Sequence, residues 1–337
     1  MRIDKMKITK RALVTGGLGF IGSNLVLDLV NLGYHVEIVD DLSNGRPEFL
    51  DGIPIRMVPV NMLHQYDDQL STGDTRTLVI NGDFADSVVL SRVTEERYDV
   101  IFHLAANPRV EYSVNNPTET TETNVLKTVG LFEVAAKSGT RVVFSSSASV
   151  YGDAIELPTT EKARKVQNSP YGLQKHVGEL FAELMAKLHD LDVVCLRYFN
   201  VYGPRQYGGS PYATAVCAWC DKVKRGEPLR SDGDGTQTRD LVYVSDVARA
   251  NIAAAEYDGQ WHGEALNVAY GRVYSNLEIL NMFKNKFSGL TVKSAPWRAG
   301  DVMHTLADVT LINTVLGFNA QIDLEEGLKK TWEWWEL

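Results

Sequence analysis

Short apolar runs alternate with longer amphipathic stretches through the first two thirds of the chain. Such alternation is typical of buried strands joined by helices that cover a parallel sheet. The pattern predicts strands near residues 11–15, 35–40, 78–81, 99–104, 141–146 and 193–198. It predicts helices near residues 20–32, 85–97, 118–138 and 170–189. The predicted fold class is therefore α/β, a doubly wound parallel sheet whose ligands bind at the carboxyl ends of the strands.

After Asn200 the pattern loosens into the Gly- and Pro-rich segments GPRQYGGSPY and SDGDGTQTRD, with one helix predicted around residues 212–225. We interpret this part as a smaller C-terminal substrate-binding lobe. The expected main domain is 1–201 with about 236–269, and the expected lobe is about 202–235 with 270–337. The segment 41–77 is irregular, and no element is predicted in it.

Composition restricts the class of protein. The formal net charge of −9 disfavours a nucleic-acid partner, because phosphate contacts need a basic surface. No apolar run approaches the roughly 18 residues of a membrane span, and the charged start is unlike a secretory signal, so we expect a cytoplasmic protein without a membrane partner. Cys217 and Cys220 form one C-x-x-C pair with only Cys195 besides them, which predicts neither a disulfide framework nor a metal site.

The first predicted strand runs into TGGLGFIGSN, which places Gly16, Gly19 and Gly22 at the start of a helix. Glycines at this spacing permit a tight turn, and the backbone N–H groups there can bind a pyrophosphate. Asp40 ends the next strand, HVEIVD, where the dinucleotide-binding motif has a carboxylate that accepts hydrogen bonds from ribose hydroxyls. Because a carboxylate would repel a 2′-phosphate, the cofactor expected in this Rossmann-type fold is NAD rather than NADP.

Further cofactor contacts are expected beside these motifs. Phe20 and Ile21 belong to the same turn as the glycines, and Asp83 and Phe84 follow the third predicted strand in NGDF. Asp83 is a candidate for a contact with the adenine edge. The local sequence supports equally well a second role for Asp83, as the N-cap of a helix that begins near Ala85.

The predicted strand 141–146 ends in FSSSASVYG, and SPYGLQKH follows about two dozen residues later. Tyr171 and Lys175 in this segment are four residues apart at a helix start, so their side chains project from one face of the helix. A phenol titrates near pH 10, and a nearby ammonium favours its ionised form. The spacing therefore predicts a tyrosine acid/base whose pKa is lowered by Lys175.

The chain resembles the extended short-chain dehydrogenase/reductase family and, within it, the UDP-hexose 4-epimerases. The resemblance covers nearly the whole chain and rests on TGGLGFIGS, HLAAN, FSSSASVYG, YGLQK, LRYFNVYGPRQ, TRDLVYVSDVA and WRAGD. It implies that Ser147 hydrogen-bonds the reacting sugar oxygen, that Tyr171 is the acid/base, and that Lys175 is its electrostatic partner and a ribose contact. It also implies a homodimer formed through the helices near 118–138 and 170–189.

The same resemblance implies the remaining ligand contacts. Those on the cofactor side are Ala105, Ala106, Asn107 and Tyr198. Those around the diphosphate and uridine of a UDP-sugar substrate are Asn200, Arg239, Arg298 and Asp301. Arg239 and Arg298 lie in polar, Gly-containing segments that we expect to be loops, where a guanidinium can neutralise a diphosphate.

A few positions narrow the reaction and the sugar. In the related dehydratases and decarboxylases an acidic residue follows the catalytic hydroxyl, whereas this chain has Ala148 and Ser149 there. The resemblance therefore implies inversion at C4 through a transient 4-keto sugar. Thr305, in WRAGDVMHTLAD, is small where glucose-restricted epimerases have a tyrosine. It predicts UDP-N-acetylglucosamine and UDP-N-acetylgalactosamine as substrates, with UDP-glucose and UDP-galactose as further candidates.

Alternatives stay open. The segment HLAANPRV departs from those of simple and N-acetyl epimerases, and Arg109 in it could recognise a carboxylate, which would indicate a UDP-uronic acid 4-epimerase. A dehydratase or decarboxylase is a further alternative. The alternative from a different class is a catalytically idle NAD-binding scaffold, against which the intact set of Ser147, Tyr171 and Lys175 speaks.

Overall fold

A computed structural model describes residues 10–70, 76–207, 214–296 and 302–337 of the chain, except for the side chains of residues 67–70. Strands in this part of the chain are β1 (Arg11–Thr15), β2 (His35–Asp40), β3 (Ile55–Pro59), β4 (Thr77–Asn81), β5 (Val100–His103), β6 (Arg141–Ser147), β7 (Val193–Tyr198), β8 (Asn200–Tyr202), β9 (Leu229–Asp232), β10 (Thr238–Tyr243), β11 (His262–Val268), β12 (Val273–Ser275) and β13 (Val292–Ala295).

Eight of these strands form one sheet in the order β11-β7-β6-β5-β1-β2-β4-β3, and every neighbouring pair is parallel. From β1 the chain moves outward through β2 on one side and later through β5 on the other, so the strand order reverses between β1 and β5. This arrangement confirms the predicted doubly wound α/β fold. It creates a crevice at the carboxyl ends of β1 and β5, where ligands of such sheets bind.

Helices flank the central sheet and build the later part of the chain. They are α1 (Phe20–Asn31), α2 (Leu63–Leu70), α3 (Ser87–Thr94), α4 (Val110–Asn115), α5 (Pro117–Thr121), α6 (Lys127–Ser138), α7 (Pro170–His189), α8 (Ala215–Arg225), α9 (Val244–Ala255), α10 (Asn276–Lys286), α11 (Thr310–Leu316) and α12 (Leu324–Trp335). A π turn, Glu122–Leu126, joins α5 to α6, so the helix predicted near 118–138 contains a local widening. No helix in the described ranges is long and apolar enough to cross a membrane.

The segment 41–77 is more regular than its sequence indicates, since it contains the strand β3 and the helix α2. Only Val58 of the five residues of β3 is buried, so this edge strand has no apolar run that would reveal it. The helix predicted at 85–97 is shorter at both ends. Asp86 caps it by accepting a hydrogen bond from Val88 N at 2.9 Å, and Glu96 adopts a left-handed φ of 56° just after its end.

The chain after residue 200 contains strands that its loosened pattern does not predict. Strands β8, β10 and β12 form a three-stranded sheet, and β9 pairs with β13. The strand β11 instead extends the central sheet beside β7. The division into a dinucleotide-binding domain and a substrate-binding lobe stays a prediction.

The central strands direct alternate side chains into two apolar cores. Ala12 and Val14 of β1 face a core shared with α1 and α9, whereas Leu13 faces a core shared with α3, α6 and α7. Burying a large apolar side chain stabilises the fold by about 1.5–3 kcal/mol. The two cores therefore fix both faces of the sheet and leave its carboxyl edge as the place where loops and polar side chains gather.

A buried ion pair joins the elements beside this edge. Glu179 of α7 accepts hydrogen bonds from Nε and Nη2 of Arg197 on β7, at 2.8 and 2.7 Å, and from Ser146 Oγ on β6 at 2.6 Å. Arg197 Nη1 donates to the Tyr151 hydroxyl at 2.8 Å and to Glu161 O at 2.9 Å. Taking each charge out of water costs several kcal/mol, and only such close pairing with further hydrogen bonds offsets that cost.

Candidate active site

The strand β1 ends in a turn that presses against the loop after β5. Gly16 has a φ of 70°, a left-handed value that favours glycine, and a Cβ there would lie 2.9 Å from Ala105 N. A Cβ on Gly22 would overlap Gly16 O, so the first turn of α1 packs directly against the strand end. Gly19 is the N-cap residue of α1, and no described side chain caps the helix.

The N-terminus of α1 is suited to an anion. Phe20 and Ile21 are the first residues of the helix, both are partly exposed, and its described first turn contains no acidic residue. The N–H groups of a first helical turn have no partner within the helix, and the helix dipole adds partial positive charge there. This glycine turn therefore fits the pyrophosphate of a dinucleotide.

Asp40 is buried at the end of β2, beside the glycine turn. Its carboxylate oxygens accept hydrogen bonds from Leu18 N at 3.0 Å and from Leu42 N at 2.9 Å. Burial raises the pKa of Asp40, and these two N–H groups oppose that shift. A carboxylate has about four lone-pair directions, so one held in this way by the backbone still has room to accept from ribose hydroxyls.

The N-cap role considered for Asp83 is wrong, because Asp86 is the residue that caps α3. Asp83 instead accepts a hydrogen bond from the backbone N–H two residues later, at 2.9 Å, and pairs with Lys127 Nζ at 2.6 Å. Phe84 is buried, with its ring centroid 4.8 Å from that of His103. The contacts of Asp83 and Phe84 with the cofactor stay predictions.

The strand β6 ends at Ser147, whose hydroxyl lies near enough to the phenol of Tyr171 to act on its pKa. The hydroxyl of Ser147 also donates to Ser149 Oγ at 3.1 Å. Tyr171 lies in the first turn of α7, where Ser169 caps the helix and Tyr171 N donates to Ser113 Oγ at 3.1 Å. The structure thus brings two predicted catalytic hydroxyls together at the carboxyl edge of the sheet.

Lys175 is buried one turn further along α7. Its Nζ donates to Ser145 O at 2.7 Å and lies 6.0 Å from the centroid of the Tyr171 ring. Burial lowers the pKa of Lys175 to about 8 and raises the pKa of Tyr171 to about 12, the latter opposed by the hydroxyl of Ser147. In the chain alone, desolvation of the phenolate therefore raises the pKa of Tyr171, and its lowering by Lys175 in the complex with NAD stays a prediction.

The loop after β5 carries Ala105, Ala106 and Asn107. Ala105 N donates to Thr15 Oγ1 at 3.2 Å, Asn107 N donates to Asn124 Oδ1 at 2.7 Å, and Asn107 O accepts from Asn124 Nδ2 at 3.0 Å. Asn107 Oδ1 is buried and has no hydrogen-bond partner among the described residues, so a cofactor that donates to this oxygen fits the loop. Asn124 was not predicted from the sequence, because a polar residue in a helical pattern does not reveal that its side chain is buried.

Tyr198 ends β7 directly opposite Ser147 in the parallel register. Its hydroxyl donates to Asn251 Oδ1 at 2.8 Å, so the hydroxyl proton is already used within the protein. The cofactor contact of Tyr198 stays a prediction. Its register position nevertheless shows that the chain just after β7 reaches the same edge as the two catalytic hydroxyls.

Two predicted substrate contacts meet just beyond β7. Asn200 Nδ2 donates to Thr305 Oγ1 at 3.1 Å and to Asp240 O at 3.3 Å. Thr305 Oγ1 also accepts a hydrogen bond from Asp240 N at 3.2 Å. The segment that carries Thr305 is therefore fixed against the strands that border the crevice.

Asp240, which was not predicted from the sequence, anchors that segment through its carboxylate. The carboxylate is fully buried and accepts hydrogen bonds from Tyr270 N at 3.0 Å, Gly271 N at 3.2 Å and Ala307 N at 3.0 Å. Burial raises the pKa of Asp240 to about 6, against the effect of these N–H groups. The signal available was an acid at the start of the apolar run LVYV, where a buried carboxylate needs backbone donors.

The structure places Arg239 in the strand β10 rather than in the loop that its polar neighbours indicate. Its Nη1 donates to Thr238 O at 3.0 Å and to Met303 O at 3.1 Å. The contact of Arg239 with a diphosphate stays a prediction. Arg298 and Asp301 lie outside the described residues.

Arg109 is the N-cap residue of α4, and its guanidinium donates to Asn44 Oδ1. Asn44 follows Asp40 by four residues, so Arg109 reaches towards the carboxylate that is expected to bind the ribose.

Cys217 and Cys220 are both buried on α8. In the described ranges, no cluster of three or more His, Cys, Asp or Glu side chains could hold a metal ion.

Comparison with known proteins agrees with this geometry. Residues 12–269 match the model of the NAD dependent epimerase/dehydratase family. The chain belongs to this family. The resemblance to the extended short-chain dehydrogenases/reductases is thereby confirmed, and NAD is the cofactor. Three features of this structure fit a bound NAD: the glycine turn, the carboxylate of Asp40, and Asn107 Oδ1, which has no hydrogen-bond partner among the described residues.

Relatives in the family cover almost the full chain. A UDP-glucose 4-epimerase of Mycolicibacterium smegmatis is 34% identical over 328 residues, 96% of this chain and 97% of the relative. A UDP-N-acetylglucosamine 4-epimerase from Methanobrevibacter ruminantium, solved with UDP-N-acetylmuramic acid, is 33% identical with a TM-score of 0.85 over 97% of this chain and 98% of its own.

Other relatives bind or act on uronic acids. MoeE5, solved with UDP-glucuronic acid and NAD, is 35% identical with a TM-score of 0.78 over 96% of this chain and 98% of its own. A UDP-N-acetyl-alpha-D-glucosaminuronate decarboxylase of Bacillus cytotoxicus is 30% identical over 345 residues, 96% of this chain and 97% of the relative. The family therefore includes several reactions on nucleotide sugars.

The buried ammonium of Lys175 generates a stability prediction. Its pKa of about 8 in the folded chain lies below the ordinary 10.5, so the charged form opposes folding in full below pH 8, and this opposition disappears as the pH rises towards 10.5. We expect Lys175→Met to raise the free energy of unfolding by about 1–3 kcal/mol at pH 7 and to change it little near pH 10.5. Urea titrations of the nucleotide-free protein measure both values.

The matched control is Lys187→Met, which removes an exposed ammonium from the far end of the same helix. It is expected to change stability by less than about 0.5 kcal/mol at either pH. A loss of stability in Lys175→Met at pH 7, or a gain that is unchanged at pH 10.5, would contradict the assigned effect of burial.

Proposed function

We propose that this chain is an NAD-dependent UDP-sugar 4-epimerase, an isomerase that inverts C4 of a UDP-hexose through a transient 4-keto sugar. The observation that carries the proposal is the placement of Ser147 and Tyr171 next to each other, with Lys175 Nζ 6.0 Å from the centroid of the phenol ring, at the carboxyl edge beside the glycine turn. The epimerase relatives from M. smegmatis and M. ruminantium support it.

In the proposed mechanism Tyr171 removes the proton of the sugar 4-hydroxyl, and Ser147 donates a hydrogen bond to the same oxygen. Bound NAD supplies the acceptor for the C4 hydride and, after the keto sugar has turned, the donor that returns it to the opposite face. With a pKa of about 8, Lys175 keeps its positive charge beside the phenol at neutral pH. With a pKa of about 12 in the chain alone, Tyr171 has to become a base within the complex with its ligands.

The turn after Ser147 favours epimerisation over elimination and decarboxylation. Ala148 and Ser149 follow Ser147 in a short 3-10 turn, and Ser149 N donates to Ser147 Oγ at 3.2 Å. Elimination of water needs a proton donor close to the sugar, and a serine hydroxyl, whose pKa is far above 7, is a poor general acid. Because this turn contains Ser149 and no carboxyl group, it does not favour the dehydratase or decarboxylase alternative.

We further propose UDP-N-acetylglucosamine and UDP-N-acetylgalactosamine as substrates, with UDP-glucose and UDP-galactose also accepted. Thr305 supports this choice, because a small side chain beside Asn200 leaves room for an acetamido group. The M. ruminantium neighbour carries the name of a UDP-N-acetylglucosamine 4-epimerase and was solved with an N-acetylated sugar nucleotide.

A panel of UDP-sugars tests the reaction and its mechanism. The purified chain, without added NAD, is incubated with the two N-acetylated, the two neutral and the uronic sugars, and the products are separated by chromatography. We expect both N-acetylated sugars to interconvert, and we expect Tyr171→Phe to lower turnover by at least about 10²-fold because the base is lost.

The outcomes of this panel are distinct. Good conversion of UDP-glucose without conversion of UDP-N-acetylglucosamine would exclude the proposed sugar. Normal turnover by Tyr171→Phe would exclude the proposed base, and a protein that retains NAD but converts no sugar would favour the idle scaffold. Fold and bound NAD, measured by circular dichroism and by nucleotide release on denaturation, are the controls.

The role of Thr305 generates a prediction about selectivity. Thr305→Tyr fills the space proposed for the acetamido group, so we expect it to lower kcat/KM for UDP-N-acetylglucosamine by about 10²-fold more than for UDP-glucose. Thr305→Val separates size from hydrogen bonding, since it removes the hydroxyl that Asn200 and Asp240 share but keeps the volume. An equal loss for both sugars in Thr305→Tyr would show that the residue does not select the sugar.

A uronic acid 4-epimerase is the second candidate, favoured by Arg109 and by the UDP-glucuronic acid bound to MoeE5. In this structure the guanidinium of Arg109 contacts Asn44, near the end of β2, which supports a place on the cofactor side rather than beside the sugar. Preferential turnover of UDP-glucuronate in the panel would favour this candidate.

We propose that two copies of the chain associate through the outer faces of α6 and α7. Leu173, Leu180, Leu184 and Leu188 of α7 are 48–61% exposed and recur at spacings that place them on one side of the helix. Leu126, just before α6, is 65% exposed. A row of exposed leucines is typical of a protein interface.

The cytoplasmic location expected from the sequence stays a prediction.

Charge on this row is expected to separate the two copies. A variant with both Leu180→Glu and Leu184→Glu would bury four carboxylates in a symmetric interface, so we expect light scattering after size exclusion to show half the parent mass. Leu277→Glu, which changes a leucine that is 46% exposed on α10, is expected to keep the parent mass. A monomeric parent, or an unchanged mass in the double variant, would exclude this interface.

A further inference from the structure

A chain of buried side-chain amides connects the catalytic helix to the cofactor loop. Gln174 lies on α7 between Tyr171 and Lys175 and is only 3% exposed. Its Oε1 accepts a hydrogen bond from Asn124 Nδ2 at 2.8 Å. Asn124 is 1% exposed and lies in the π turn between α5 and α6, a type of turn that is frequent at functional sites.

The nitrogen and oxygen atoms of both amides have protein partners. Gln174 Nε2 donates to Thr120 Oγ1 at 2.9 Å and to Thr121 Oγ1 at 3.0 Å. Asn124 pairs with both backbone groups of Asn107, accepting from its N–H at 2.7 Å and donating to its C=O at 3.0 Å. The Asn124 side chain thus binds both the N–H and the C=O of Asn107, and Gln174 in turn holds that side chain. The position of Asn107 is therefore fixed from α7.

This network ends on an acceptor that no described residue uses. Asn107 Oδ1 is buried, and it has no hydrogen-bond partner within the described ranges. The same loop lies against the glycine turn, since a Cβ on Gly16 would be 2.9 Å from Ala105 N. A buried acceptor gains most from a ligand that brings a donor to it, because it has already lost its hydration.

We propose that Gln174 and Asn124 are positioning residues that present Asn107 Oδ1 to NAD, as the acceptor for a ribose hydroxyl or a carboxamide N–H. The inference rests on the proposed function only through the cofactor and not through the sugar. The same helix, α7, would then position both the residues Tyr171 and Lys175 and the acceptor on Asn107 for the dinucleotide.

The rate at which NAD leaves the gel-filtered holoprotein tests the proposal, with released NAD measured enzymatically and no sugar present. Gln174→Met removes the amide at similar volume, and Asn107→Ala removes the acceptor. Each is expected to speed NAD release by about 5- to 20-fold, the effect of one lost hydrogen bond to a ligand. The double variant is expected to be no faster than the faster single variant, because both changes remove the same contact.

Thr331→Val is the matched control, since it removes a buried hydrogen bond of 2.6 Å to Gly327 O in α12, away from the crevice. It is expected to leave NAD release unchanged, which separates a specific effect from a general loss of stability. If circular dichroism shows that Gln174→Met does not fold, Asn124→Asp replaces it, because this change keeps the acceptor for Asn107 N and removes both donations.

Two results would overturn the proposal. Unchanged release from Asn107→Ala or from the folded Gln174 or Asn124 variant would show that the acceptor or its support is not used. Multiplied effects in the double variant would show that the residues act independently. The sugar panel reports on epimerisation and the release rate reports on cofactor retention, so failure of one is distinguishable from failure of the other.

Discussion

The buried ion pair between Glu179 and Arg197 holds together the elements that carry the proposed chemistry. Glu179 lies about two turns beyond Tyr171 on α7, and it accepts a hydrogen bond from Ser146, the neighbour of Ser147. Removing either charge would leave the other buried and unpaired, at a cost of about 3–5 kcal/mol. The contacts that satisfy this pair therefore also fix the distance between the strand end that carries Ser147 and the helix start that carries Tyr171.

Two other buried charged groups, Asp240 and Lys175, differ in how far hydrogen bonds within the protein compensate them. Burial raises the pKa of Asp240 to about 6 and lowers the pKa of Lys175 to about 8, so both charged forms are disfavoured. The carboxylate of Asp240 is compensated by several backbone N–H groups and orders the segment around Thr305. Lys175 can donate three hydrogen bonds, and within the described ranges it has Ser145 O as a partner. Such incomplete compensation is expected of a group that completes its hydrogen bonds on a ligand, at the expense of stability.

Local patterns in the sequence predicted the central sheet and the residues at its strand ends, because a glycine turn or a Tyr-x-x-x-Lys pair is complete within a few residues. Contacts between distant residues could not be predicted in this way. Asn124 pairs with Asn107 across 17 residues and with Gln174 across 50, and a single sequence contains no sign of either contact. The raised pKa of Tyr171 in the chain alone was not predicted for a related reason, since spacing shows that Lys175 is near but does not show how deeply both groups are buried. Arg239 was placed in a loop because the strand β10 begins with the polar residues Thr238, Arg239 and Asp240, before its apolar run.

The proposed selectivity at Thr305 follows from the size of its side chain. Its Oγ1 accepts hydrogen bonds from Asn200 Nδ2 and Asp240 N, so the two acceptor sites of the hydroxyl are used within the protein. A small residue permits an acetamido group, and added room discriminates by only about 1–3 kcal/mol for a group of methylene size. Strong rejection of a neutral hexose would instead require a buried polar group that only the acetamido group satisfies. A pocket selected by size alone is therefore expected to accept both kinds of hexose, which is why the proposal includes the neutral sugars beside the N-acetylated ones.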